Sequence, residues 1–227
     1  MYYYLLLVVP ALLIAAFAQM KVTSTFRKFS QYHTASGMTG EAASRMILRE
    51  NGLSVPIEPT AGELTDHYDP RGNVIRLSQP VYGADSIAAV GVAAHETGHA
   101  IQYAHDYAPI RFRMALVPVT NFSASISPYL ILFGLIAGLE FLSYAGIALF
   151  SLSVLFQLVT LPVEFNASTR AVQALRQSGS FTEEELAGVK KVLSAAALTY
   201  VAALLVSLMQ LLRLVLMVLG RSNRRGR

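Results

Sequence analysis

From Pro118 to Leu161 the chain runs for 44 residues with a single charged side chain, Glu140. A helix that crosses a bilayer needs ~20 mostly apolar residues. Only helices and closed barrels satisfy their backbone N–H and C=O groups without water. The run therefore holds two spans, with a tight turn expected near Glu140, Ser143 and Gly146. Two further apolar runs flank the polar parts of the chain. Residues 2–20, YYYLLLVVPALLIAAFAQM, precede Lys21, Arg27 and Lys28. Ala16-Phe17-Ala18 imitates a signal-cleavage site, but no basic segment comes first and the apolar stretch is long. An uncleaved transmembrane helix is the expectation. The last run begins at Val192, and Arg213 within it is expected to snorkel to the interface.

Composition agrees with this reading. Charged residues make up 14% of the chain, against about 25% in a soluble domain. Cysteine is absent, which removes disulfides and thiolate ligands together. The net charge of +4 does not imply nucleic acid, because the basic residues flank the apolar runs; that placement belongs to membrane orientation. Residues 21–115 and 162–191 hold thirteen Lys and Arg, which favours those segments in the cytoplasm and both termini outside; the basic tail leaves as the alternative a final helix that does not cross, with the tail inside as well. The spans carry almost no ionisable residues, which disfavours a transporter.

The resulting organisation is a first transmembrane helix at 1–20, a polar domain at 21–115, and a transmembrane hairpin at 116–161. A polar segment follows at 162–191, then a fourth transmembrane helix at 192–219 and a basic tail at 220–227. Within 21–115, SGMTGEAASRMILRENGL reads as a helix capped by Thr39 and ended at Gly52. Short strands are expected in SVPIEP, GELTDHYDP and GNVIRLS. In NVIRLS, Ile75 and Leu77 share one face and Val74, Arg76 and Ser78 the other. A helix starting at Asp85 or Ser86 should run to about Tyr103, and Thr182 with Glu185 forms a capping box for the last helix.

That middle helix carries AAHETGHAIQYAH, which holds three of the five histidines. His95, Glu96 and His99 make an H-E-x-x-H pattern. Side chains four apart lie on one helix face, so two imidazoles can grip one zinc ion. Glu96 sits beside them as general base toward a zinc-activated water. Apolar neighbours Val90, Val92 and Ile101 argue against mere surface histidines.

A catalytic zinc takes three protein ligands and leaves one position open. His105 follows His99 at the spacing of the longer H-E-x-x-H-x-x-G-x-x-H pattern. However, Gln102 stands where glycine would break the helix, and on a continuing helix His105 lies ~13 Å beyond His95 along the axis. Glu164, in VEFNASTRA, is the better candidate. Two crossings separate it from His99, so both fall on the same membrane face.

AAHETGHAIQ, TDHYDPR and VTLPVEFNASTRA together resemble the YugP-like family of neutral zinc metallopeptidases of bacterial membranes. The likeness covers nearly the whole chain, including the order of spans. A more distant similarity links it to zincins of the HtpX and CAAX-prenyl-protease type, whose third ligand is the Glu of an E-x-x-A-D element. Glu164 and Ala167 match that element, and Ser168 replaces its Asp. The resemblance implies that Ser168 or Asn166 hydrogen-bonds a ligand histidine in place of the carboxylate.

The expected fold class is a mainly α membrane protein: about four transmembrane helices and a small α+β zincin-like catalytic domain. The expected activity is peptide-bond hydrolysis with one zinc per chain, His95, His99 and Glu164 as ligands and Glu96 as base. His67, Tyr68 and Arg170 are candidates for transition-state or substrate contacts. The NVIRLS strand is expected to bind substrate by strand addition. Expected partners are the lipid bilayer of a bacterial cell, a membrane-associated protein or peptide substrate, and a regulatory membrane protein. The alternative is a catalytically silent membrane adaptor with a structural zinc site.

Overall fold

In the computed structural model, residues 2–225 are described in their backbone and residues 2–220 in their side chains. The basic side chains of the 220–227 tail therefore lie outside the described residues. A π-helical turn at Tyr4–Val8 leads into α1 (Val9–Phe29). Then come α2 (Gly40–Glu50), β1 (Ile57–Thr60), β2 (His67–Asp69), β3 (Val74–Ser78) and the short α3 (Gln79–Tyr82). The chain continues through α4 (Ile87–Ala104), α5 (Ala108–Ala137), α6 (Glu140–Gln177) and α7 (Glu183–Arg225). Four helical stretches are long and apolar enough to cross a membrane: Tyr4–Phe29, Ala108–Ala137, Glu140–Gln177 and Glu183–Gly220. The mainly helical fold class with one small sheet is as the sequence implies.

Contacts divide the chain into two compact units. The polar unit comprises residues 19–111 and 162–198. Its sheet has the order β1-β3-β2, with β1 parallel and β2 antiparallel to β3. Local signals set its helix ends. Thr39 accepts a hydrogen bond from Ala42 N at 3.2 Å, and Ser86 accepts one from Ala89 N at 3.2 Å. The capping box forms in both directions: Glu185 N donates to Thr182 Oγ1 and Thr182 N to Glu185 Oε2. Gly52, at φ +67°, follows α2 in the left-handed conformation. A core of Ile47, Val90, Ala94, Leu175, Val189 and Leu193 packs α2, α4, α6 and α7 together.

β3 departs from the expectation that it receives substrate. It is the central strand, paired on both sides, and four of its five residues are buried. Its hydrogen-bonding groups are therefore already committed, and the strand edge beside α4 belongs to β2.

The apolar unit comprises residues 2–18, 112–161 and 199–225. Its hairpin turns at Gly138, φ +72°, where Leu139 N donates to Gly134 O. The turn thus precedes Glu140, which opens α6, and Ser143 and Gly146 lie within the helix. Both are packing residues. A β-carbon on Gly134 would meet Ser143 Oγ at 2.5 Å, and one on Gly146 would meet Ser127 O at 3.0 Å. Small residues let the α5 and α6 backbones approach closely, the usual way membrane helices associate. Arg213 rests its guanidinium 5.0 Å from the Tyr4 ring centre and donates to Gln210 Oε1. It packs against the first helix.

Candidate metal centre

α4 is built to be buried. Alanine, glycine and valine fill its first half, and most of its residues are sealed from solvent. On this helix His95 and His99 stand one turn apart, their ring centres 4.7 Å from each other. α6 runs against the same face at Gly98. A β-carbon there would sit 2.6 Å from Ala167 O, so only glycine admits this approach. Ala167, wholly buried, completes the contact. One turn earlier on α6, Glu164 reaches the histidines and is 1% exposed.

Its Oε2 lies 3.2 Å from His95 Nε2 and 3.5 Å from His99 Nε2. The three donor atoms fall within 4.8 Å of one another. Ligands ~2.0–2.1 Å from a tetrahedral zinc stand about 3.3 Å apart, so the two carboxylate distances are those of a zinc site. Two nitrogens and one carboxylate oxygen also make the donor set of a catalytic zinc with an open position. The residues fit the ion.

Each histidine has its second nitrogen occupied. His95 Nδ1 and Ser168 Oγ are hydrogen-bonded at 3.2 Å. His99 Nδ1–H donates to Gln102 Oε1 at 3.0 Å. The Gln102 side-chain carbonyl oxygen, which can only accept, sets the His99 tautomer so that Nε2 faces the site. Gln102, 0% exposed, in turn donates through Nε2 to Val163 O at 2.8 Å and Asn166 Oδ1 at 2.9 Å. One amide therefore orients His99 and ties α4 to the α6 turn that bears Glu164. The sequence reading missed this role. Its one available signal was a polar residue three positions after His99, on the helix face that turns inward.

The remaining candidates fall as follows. Glu96 is half-buried, and its Oε2 accepts from Tyr68 N at 3.0 Å. Tyr68 thus meets the site through its backbone, while its hydroxyl donates to Asn73 Oδ1 at 2.8 Å. His67 is exposed and its Nδ1 lies 2.8 Å from Thr65 O. Arg170 donates through Nε to Asn166 Oδ1 at 2.7 Å and stands 5.9 Å from the Tyr107 ring centre. It therefore braces the Gln102 network. His105 is the C-cap of α4 and takes no part in the cluster.

Electrostatics at His99 follow from the same geometry. Burial works against a charged ring, but the hydrogen bond and negative charge of Glu164, with Glu96 and Gln102, outweigh it and raise the pKa.

Comparison with known proteins agrees with this geometry. Residues 4–219 match the model of a family described as "Putative neutral zinc metallopeptidase". The "Putative membrane protease YugP" of Bacillus subtilis (strain 168) is 51% identical over 218 residues, covering 96% of this chain and 97% of that protein. No solved structure matches significantly.

Proposed function

The chain belongs to the neutral zinc metallopeptidase family, and from that premise we propose a membrane-bound endopeptidase that cleaves membrane-associated proteins with one zinc per chain. The observation that carries the proposal is the triangle of His95, His99 and Glu164 beside a carboxylate already held in place. Zinc at these ligands would polarise the scissile carbonyl and acidify a water. Glu96 takes the proton of the attacking water as the oxygen joins the carbonyl carbon, then delivers it to the departing amide nitrogen.

The Tyr68 N–H bond supports this role. It fixes one oxygen of Glu96 and leaves the other for proton transfer. Ile75 N–H turns toward β1 and donates to Pro56 O at 2.9 Å. Tyr68, opposite Ile75, therefore directs its own N–H and C=O to the outer edge of β2, on the Glu96 side. The Tyr68 carbonyl is then the natural acceptor for an extended substrate backbone. Reading the substrate by its main chain places few demands on its sequence.

Four long apolar helices in the same chain favour substrates that share the membrane. The excess of Lys and Arg in residues 21–115 and 162–191 favours an active site on the cytoplasmic face.

The test is Glu96→Gln in full-length protein, which should keep its zinc while cleavage of an unfolded protein substrate falls by at least roughly a hundredfold. Equal cleavage by variant and wild type would remove Glu96 from the chemistry. A wild type that binds zinc yet cleaves nothing would favour the silent adaptor.

A further inference from the structure

A second concentration of charge lies away from the metal centre, where the end of α1 faces the start of α7 within the polar unit. Lys21 and Lys28 stand two turns apart on one face of α1, and Lys190 and Lys191 belong to the facing side of α7. All four residues line one cavity of about 680 Å³. All four residues are exposed, no acidic residue lines the cavity, and none of the four has an ion-pair partner among the described residues. The hydroxyl-bearing Thr25 and Ser194 add hydrogen-bonding groups to its wall, while Phe29, Ala195 and Leu198 supply an apolar side.

Lysines that serve only to orient spans need not share one space. Collecting four of them around a cavity raises their mutual repulsion, which a bound anion relieves. Lysine is a point-charge donor suited to phosphate. We propose that this cavity binds the phosphate headgroup of an anionic phospholipid. Free phosphate offers the same anionic oxygens, but the two walls favour a lipid. α1 is apolar immediately before Lys21, and α7 is apolar from Val192 onward. A phosphate among the lysines would leave its acyl chains beside Phe29, Ala195 and Leu198 on the apolar side of the cavity. Basic pockets between membrane helices hold lipid headgroups by this combination of charge and apolar contact.

The experiment uses native mass spectrometry of the full chain in neutral detergent, supplied with phosphatidylglycerol, phosphatidylcholine or inorganic phosphate. The wild type should retain phosphatidylglycerol at least roughly tenfold over phosphatidylcholine, and inorganic phosphate should not displace it at equal concentration. Replacing all four lysines with glutamine should erase the preference, while replacing all four with arginine should keep it. Far-ultraviolet circular dichroism reports whether each variant is folded. If the glutamine variant does not fold, the wild-type and arginine comparisons still decide. Equal retention of the two lipids, undiminished retention by a folded glutamine variant, or displacement by inorganic phosphate would each overturn the proposal.

Discussion

Replacing Gly98 with alanine probes how the third ligand is delivered to the histidines. The added β-carbon would stand 2.6 Å from Ala167 O and 3.2 Å from Ala167 C. Ordinary contacts begin near 3.4 Å, so α6 must retreat from α4 by about 0.8 Å. Both sides of the contact are helical backbone, so no flexible side chain can absorb the shift. Glu164 lies one turn from Ala167 and moves with it. Metal–ligand distances tolerate only about ±0.2 Å, so the carboxylate loses its bond or the ion leaves its histidines. Zinc affinity should fall at least roughly tenfold, the scale at which supporting contacts act, and overpacking should cost ~1–3 kcal/mol of stability. Chelator competition measures the affinity, and far-ultraviolet circular dichroism checks that the helices persist. Gly91→Ala is the control on the same helix. Its β-carbon would meet only the Val189 side chain and Cα, the nearest atom at 3.3 Å, away from the ligand turn. If Gly98→Ala binds zinc as tightly as wild type, the α4–α6 approach does not set the ligand geometry.

Other consequences can be checked in the same preparations. Gln102→Leu removes the acceptor of His99 and the amide donor to Val163 O and Asn166 Oδ1, so zinc affinity should drop about 10–100-fold. Gln102→Glu restores the acceptor but cannot donate to Val163 O, and chelator competition should place it between leucine and wild type. Wild-type affinity in the leucine variant would show that His99 needs no such partner. For orientation, His67→Cys should react with a membrane-impermeant thiol reagent only from the cytoplasmic side and Asn223→Cys only from outside. The opposite pattern would invert the topology.

The parts of the site that were legible in the sequence are those set by local rules. His95, Glu96 and His99 need only helical periodicity to share a face. Thr39, Ser86 and the Thr182–Glu185 pair cap helices through groups within a few residues of themselves. Glu164 became legible through the parity of membrane crossings, which depends on counting spans and not on their packing. Gln102 was hidden because its partners, Val163 and Asn166, are more than sixty residues away. Its place in the pattern suggested only a missing glycine. The sheet misled for a similar reason. NVIRLS alternates like an edge strand, but β1 pairs with it in parallel from Ile57 opposite Ile75 to Thr60 opposite Ser78, a contact that alternation within NVIRLS does not signal. The hairpin turn fell at Gly138 and not at the polar residues near it. The left-handed turn requires glycine's conformational freedom, whereas Ser143 and Gly146 were needed for close packing.

Elemental analysis of the purified full-length chain, beside Glu164→Ala and His105→Ala, tests the metal centre most directly. Wild type and His105→Ala should each carry about one zinc per chain, and Glu164→Ala should carry far less after the same dialysis. Zinc retained by Glu164→Ala but lost from His105→Ala, or a folded wild type that takes up none, would contradict the account.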